Sequence, residues 1–460
     1  MGVRDLIHRM TAPKPLAARR FDGAAGGRRW SASPSFGRVS AETLAASGPI
    51  RSRARYFVAN NAWAANGVNA LVTGLVGTGI VPASAHPDPA VRAEIGRRLT
   101  PWMRHADADG RTDFYGLQAA AARGLVIDGE SFIHMETRPE GLRLRLLPPE
   151  LVDESDTRDL GNGGYVVAGV EFDASGRRVA YHVRKARPTD VFAHASGTVR
   201  VLAEDMIHIC APLGAGQVRG VSWLAPVLLR LAELDATEDA LAVGVKIAAL
   251  HAGFLVDQNG TGEPFDSDPA DISLEPGTVR RLPNGYDIKF STPVQAQQTA
   301  DFVAHSVRAI AAGLSVPAHL VSGDLREANY GSLRAGMIAF RQRLEQVQFG
   351  TLIPQMADPI YARAVTTLAL MGEIPADDFS ADFLAAEHYP PAQPWLDPQK
   401  DAAAIREAID SGLMSRRQAV AERGYSVETL DAEIAADRER EAGLGLTFTG
   451  APKLQPEASA

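Results

Sequence analysis

The sequence predicts an α+β protein, and three observations predict it. Apolar residues recur at helical spacing near both ends of the chain. Between residues 131 and 184 two hairpin signals follow each other, where a parallel α/β protein would alternate strand and helix. From residue 222 a long helical pattern leads into a short β-rich insert and then a second helical pattern ending at residue 314.

Residues 1–50 are rich in Gly, Ala, Ser, Arg and Pro, with no lasting period. They are expected to form a basic arm, flexible unless a neighbour orders it. Over residues 51–76 a helix is expected from Tyr56, Ala59, Trp63, Val68, Leu71 and Leu75. Gly77, Gly79 and Pro82 end it. Residues 90–106 and 113–126 read as further helices, the second capped by Asp113. Strands are expected over 131–137 and 142–147 around a Pro139–Gly141 turn. Others are expected over 165–172 and 178–184 around Asp173–Gly176, and over 205–211.

Residues 222–251 read as one helix of roughly 40 Å, with Ser222 as cap and Pro226 in the first turn. Two short strands, 278–282 and 286–290, flank Pro283, Asn284 and Gly285 inside the insert. Residues 300–314 return as a helix, with Phe302, Val303, Val307, Ile310 and Leu314 on one side. A polar loop is expected over 322–330. Helix is expected over 331–371, interrupted near Pro354 and Pro359. An acidic, Pro-rich linker (373–397), three short helices (398–411, 415–422, 426–441) and a disordered tail complete the expectation.

Charge is unevenly spread. The chain has 460 residues and net charge −8. Residues 1–60 hold eleven Lys/Arg against three Asp/Glu, and the remainder 36 against 52. An acidic body argues against tight gripping of phosphates. The single cysteine, Cys210, excludes an intrachain disulfide and fits a reducing compartment. No apolar run approaches the roughly 18 residues of a membrane span.

Catalytic signatures fail on spacing. Gly214, Gly216 and Gly220 lie between a strand and a helix, but the third glycine comes one residue late for a dinucleotide loop. The turn is better read as letting Arg219 and the following helix start approach another chain. Ser222 lacks the second glycine of a nucleophile elbow. The histidines show no H-E-x-x-H spacing, and the acidic run after Asp257 lacks EF-hand spacing, so no metal is expected. Asp128 and Glu130 bracket Gly129 and could act as an acid/base pair. Two carboxylates beside a glycine in a turn are commonplace, and the structural reading is preferred. No cofactor or catalytic constellation is expected.

The order of elements, with several short stretches, resembles the lambda-type family of tailed-phage portal proteins over roughly residues 51–444. The stretches are RYFVANN (55–61), VGTGI (76–80), DGESF (128–132) and KIAALHAGF (246–254). EPG (275–277), LPNG (282–285), AIAAGLSVP (309–317), WLDP (395–398) and AIDSG (408–412) also match. QVRGVSWLAP (217–226) is the most specific. In NYGSLRA (329–335), Gly331 stands where the family usually has serine.

The resemblance implies a portal architecture: an arm (1–50), an α+β wing (51–221), a first stem helix (222–252), a clip (253–296) and a second stem helix (297–316). A tunnel loop with wing helices (317–397), a helical crown (398–442) and a tail (443–460) follow. It implies a ring, about twelve copies by analogy, with closed symmetry. The ring would sit at one capsid vertex of the virion after assembly in the host cytoplasm, and the gene could equally belong to a prophage. Implied partners are the terminase large subunit, the head–tail connector, the major capsid or scaffold protein, and double-stranded DNA held non-specifically in the channel. Asp324, Arg326, Glu327, Asn329, Tyr330, Ser332 and Arg334 would face the channel. Asp257, Glu263, Asp266, Asp268, Asp271 and Glu275 would face the terminase. Arg219, Gly220, Ser222 and Trp223 would form the start of the stem and a subunit contact. The alternatives are another head–tail connector or baseplate protein, and, further off, a hydrolase.

Overall fold

The computed structural model describes residues 37–185, 197–249, 253–257, 286–290, 296–326, 329–374, 381–395 and 397–446. Helix α1 (Val39–Asn60) starts twelve residues before the expected helix, inside what reads as arm. It does not run on into α2 (Ala62–Val76). The extended backbone of Asn61 breaks the path, and its side chain accepts the Ala64 N–H at 3.1 Å, capping α2. A cap residue inside an otherwise periodic run hides such a break from a pattern count. β1 (Val81–Ser84), α3 (Pro89–Arg104) and α4 (Phe114–Ile127) follow. Asp113 caps α4 as expected, accepting Gly116 N–H at 2.8 Å.

Two sheets make the β body. β2 (Glu130–Arg138) lies between β3 (Gly141–Leu147) and β9 (Met206–Cys210), antiparallel to both. β4 (Arg158–Asp159), β5 (Tyr165–Val167), β6 (Val170–Phe172), β7 (Arg178–Arg184) and β8 (Thr198–Leu202) form an antiparallel meander in that order. The single strand expected over 165–172 is itself a hairpin. Ala168 and Gly169 both take positive φ, 48° and 81°, and reverse the chain. An alanine in a left-handed turn carries no sequence signal, since that conformation costs it free energy.

β2 is buried on both faces. Ile133 and Met135 point into the main core, with Leu71, Leu75, Leu125, Ile207 and Ile209. Phe132 points the other way, into a second core with Val170, Tyr181 and Met206 between the two sheets. Burying side chains of this size contributes roughly 1.5–3 kcal/mol each.

Two rods leave this body. α5 (Leu228–Ala249) and α6 (Ala296–Leu314) run antiparallel. Their distal ends lead into a hairpin of β10 (Gly253–Asp257) and β11 (Tyr286–Phe290), with Gly253 opposite Phe290. At the base, a Cβ on Gly313 of α6 would lie 2.3 Å from Val227, just before α5. The first rod therefore starts six residues later than expected. Residues 223–227 form turns, and α5 has 22 residues, about 33 Å. The observed partner of β11 is β10; the expected strand 278–282 and its turn lie outside the described residues.

After α7 (Ala318–Ser322), α8 (Tyr330–Val347) continues without interruption into a π-helix (Gln348–Ala357) and α9 (Asp358–Leu370). The expected break at Pro354 is absent. Proline lacks the amide that a helix interior needs, and the wider i→i+5 hydrogen-bond register of a π segment accommodates it. Gln348 Nε2 donates to Gly74 O and Leu75 O at 3.3 and 2.8 Å, and Gln355 Oε1 accepts Cys210 N–H at 2.9 Å. The segment is thus tied to α2 and to β9.

The expected linker holds structure. α10 (Ala381–Leu384) precedes β12 (Ala386–Tyr389), which pairs with β1 and buries Tyr389. α11 (Pro398–Asp410), α12 (Arg416–Ala421) and α13 (Val427–Leu444) close the described chain. Asp397 caps α11, and Ser415 forms a capping box with Gln418.

Candidate functional site: a buried ionic joint at the base of the rods

Two glycine-containing stretches distant in sequence meet where the body gives way to the first rod. Gly129, at φ +88°, turns the chain from α4 into β2. A Cβ there would lie 2.1 Å from the Val221 backbone, and one on Gly220 would lie 2.1 Å from Gly129 O. Only glycine at both positions lets the two backbones touch. Trp223 N–H reaches Val126 O at 3.1 Å and fixes the same approach.

The contact seats Arg219 against Glu130, both fully buried. Arg219 Nη2 donates to Glu130 Oε1 at 2.6 Å, and Nε reaches both carboxylate oxygens at 2.9 and 3.0 Å. The remaining Arg219 donors meet the carbonyls of Pro149, Val152 and Ala168 at 2.9–3.2 Å. Phe132 lies under its guanidinium, 5.2 Å from centroid. Glu130 Oε2 also accepts Gly220 N–H at 2.8 Å and lies 3.1 Å from His208 Nε2. Arg51 of α1 adds Nη2 contacts at 3.4 Å to Glu130 and 2.7 Å to Glu154.

Burial alone would raise the Glu130 carboxyl, but Arg219 and His208 reverse this and hold it well below the ordinary carboxylate range. Burial, only partly opposed by Glu130, lowers His208 and keeps its ring neutral near pH 7. Its Nδ1 has no hydrogen-bond partner among the described residues, and the ring stacks on Phe132 at 4.3 Å.

This arrangement does not suit proton transfer. Glu130 is locked as an anion, and Asp128 accepts from Arg55 Nε and Nη2, at 2.7 and 2.9 Å. The Glu130 carboxyl, held low, has no proton to give near neutral pH. The open cleft beside them, about 830 Å³, is rimmed by Arg55, Arg111, Arg123 and Arg145. Among the described residues no group of three or more His, Cys, Asp or Glu could hold a metal ion.

The expected subunit contact at Arg219 is therefore corrected. The side chain is enclosed by its own chain, because its charge needs five or more internal acceptors. Gly220 is enclosed with it. Ser222 is buried and caps no helix at its position; its Oγ accepts Leu224 N–H at 3.2 Å within the turn. Trp223 is half-buried beside Arg343, 5.6 Å from the ring centroid. Sequence reading missed Arg51, Glu154 and His208, and no local pattern marks them.

The loop after α7 is smaller than expected. Asp324 and Arg326 form an exposed pair at 2.6 Å, which holds the Asp324 carboxyl down to about 2. Glu327 lies outside the described residues. Asn329 caps α8 with Ser332 in a capping box, Tyr330 opens that helix, and Arg334, one turn in, pairs with Asp401 at 3.6 Å. Ser332 and Arg334 are thus helical. Asp257 ends β10, and Glu263, Asp266, Asp268, Asp271 and Glu275 lie outside the described residues.

Comparison with known proteins gives this assembly a context. The chain is 24% identical over 421 residues to a probable portal protein of Halomonas phage phiHAP-1, covering 86% of this chain and 81% of that protein. Among solved structures it is similar to the neck of a native gene transfer agent particle computed with C12 symmetry. That match has TM-score 0.44 and 16% identity, over 90% of this chain and 96% of the other. It is also similar to an HK97-family phage portal protein from Corynebacterium diphtheriae, at TM-score 0.32 and 14% identity, over 74% and 94%. Residues 26–348 match the family described as phage portal protein, lambda family. That match spans most of the chain and contains the joint and both rods, so the chain belongs to the lambda family of phage portal proteins, a structural family and not an enzymatic one.

Proposed function

We propose that the chain assembles into a closed ring at one capsid vertex and that double-stranded DNA passes through its bore, inward during packaging and outward during ejection. The single observation that carries the ring is the apolar surface left bare on the rods. Val243, Val245 and Phe302 are 53%, 64% and 49% exposed, although they sit on helices that should hide such side chains. Copies of the same rod pair placed side by side around an axis cover these residues, as closed symmetry requires. The charged and polar residues Asp324, Arg326, Glu327, Asn329, Tyr330, Ser332 and Arg334 would face the channel and slide over phosphates without anchoring them. The β10–β11 end, with the acidic residues between Asp257 and Glu275, would face the terminase during filling and the head–tail connector afterwards. Contact with the major capsid or scaffold protein would set the vertex.

Electron microscopy of the purified protein tests this. A closed ring of about twelve copies is expected. Val245→Glu should leave a folded monomer with an unchanged circular dichroism spectrum, since the residue is mostly exposed in one copy. Monomeric wild-type protein, or normal rings from the variant, would overturn the reading.

A further inference from the structure

A groove of about 1010 Å³ separates α8 and the π-helix from the terminal helices. Ile338, Phe349, Trp395, Ile405, Leu413 and Met414 supply its apolar lining. Two features show that it is unfilled. First, Ala402, Ile405, Ile409 and Leu413 form a one-sided apolar stripe on α11 and the turn after it. Yet α11 has no buried residue, and Leu413 is 85% exposed. Second, Arg341 and Arg423 line the groove with their Nε atoms enclosed and without an acceptor among the described residues. Arg423 lies over the Trp395 ring at 4.6 Å. A small rotation of either guanidinium turns an N–H toward a docked carboxylate.

The chain carries a segment of matching chemistry within reach. α13 starts beside the groove, where Glu428 pairs with Arg417. It runs 18 residues, about 27 Å, with 435–440 wholly exposed. The eight residues after Leu446, ending at Leu454, would span about 27 Å when extended, enough to return along that helix. Pro452 and Pro456 favour an extended backbone of three residues per turn, which places Ala451, Leu454 and Glu457 on one face. Aromatic-lined grooves recognise such segments.

We propose that residues 447–460 dock in this groove of their own chain, with Leu454 in its apolar floor and Glu457 facing Arg341 and Arg423. Lys453, on another face of the segment, would meet acidic groups of the rim such as Glu345 and Glu387.

The test uses a fluorescent peptide of residues 447–460, amidated at its C-terminus, and a chain lacking those residues. The peptide should bind the shortened chain and bind the intact chain about tenfold or more weakly, since the groove is already occupied there. Leu454→Asp in the peptide, or Ile405→Asp in a shortened chain of unchanged circular dichroism, should each weaken binding by about tenfold or more. The protection in the intact chain should persist on dilution to monomer. Absent binding to the shortened chain, or equal binding to both chains, would overturn the proposal. Protection lost on dilution would assign the groove to a neighbour's segment. Self-association of the shortened chain that Ile405→Asp abolishes would assign it to the body of a second copy.

Discussion

A carboxylate with no access to water persists in a fold only when its charge is matched on every side, and Glu130 meets Arg219, Arg51, His208 and the Gly220 amide. Glu130→Gln keeps the shape and removes the charge, leaving buried Arg219 with only Glu154, at 3.4 Å, as counter-ion. Urea unfolding should report a loss of about 3–5 kcal/mol. The pH dependence has a definite sign. Because the folded carboxyl is held low, its stabilisation is complete above the ordinary carboxylate range and is lost as pH falls through and below it. His208 acts higher on the scale. Its folded form resists a proton that the unfolded chain accepts below about 6.5, so stability should fall as pH drops from 7.5 to 5.5. His208→Gln, which retains an N–H toward Glu130, should flatten that slope in urea midpoints. These roles were not legible one residue at a time. Glu130 reads in sequence as one of two ordinary carboxylates beside a glycine turn, and only the arrival of Arg51 and Arg219, 79 and 89 positions away, makes it a buried structural anion.

At the scale of elements, the readable signals were the ones resolved within a few residues. Asp113 caps its helix as expected, and β7 spans the residues expected from the turn at Asp173–Gly176. The missed features depend on distant partners. β12 reads as linker because its strand exists only through pairing with β1, some three hundred positions earlier by register of Val81 with Tyr389. The π segment reads as a break because Pro354 is a helix breaker without the wider register that Gln348 and Gln355 help to pin. Gly220 belongs to this scale as well. Gly220→Val should cost several kcal/mol, because its Cβ meets a backbone oxygen that no side-chain rotation can move. The expected outcome in thermal denaturation is an unstable chain, and not a stable subunit that merely fails to assemble. A normal melting temperature would contradict the close backbone approach.

For the whole molecule, the order of elements carried the most information. Body, rod, hairpin strands, rod, loop and terminal helices follow one another along the chain. The joint between body and rods was legible only as two unexplained glycine turns. The acidic segment between β10 and residue 276 offers a test at this scale. Deleting residues 257–275 should leave rings intact by electron microscopy and abolish terminase binding in a pull-down, since the body and rod cores lie elsewhere. Rings that still capture the motor normally would place its docking surface elsewhere.

The contact of Gly129 with Val221 and Gly220 has one more consequence. With main chain against main chain there is no cushion of side chains to shear, so this point behaves as a weld. Leu231 and Leu234 extend the grip into the first turns of α5, whereas Val243 and Val245 beyond them stand clear. A load applied at the hairpin end is then borne by a cantilever fixed at its root. Flexing is expected to grow with distance from that root, which hydrogen exchange along α5 would register as protection falling from Leu231 toward Lys246.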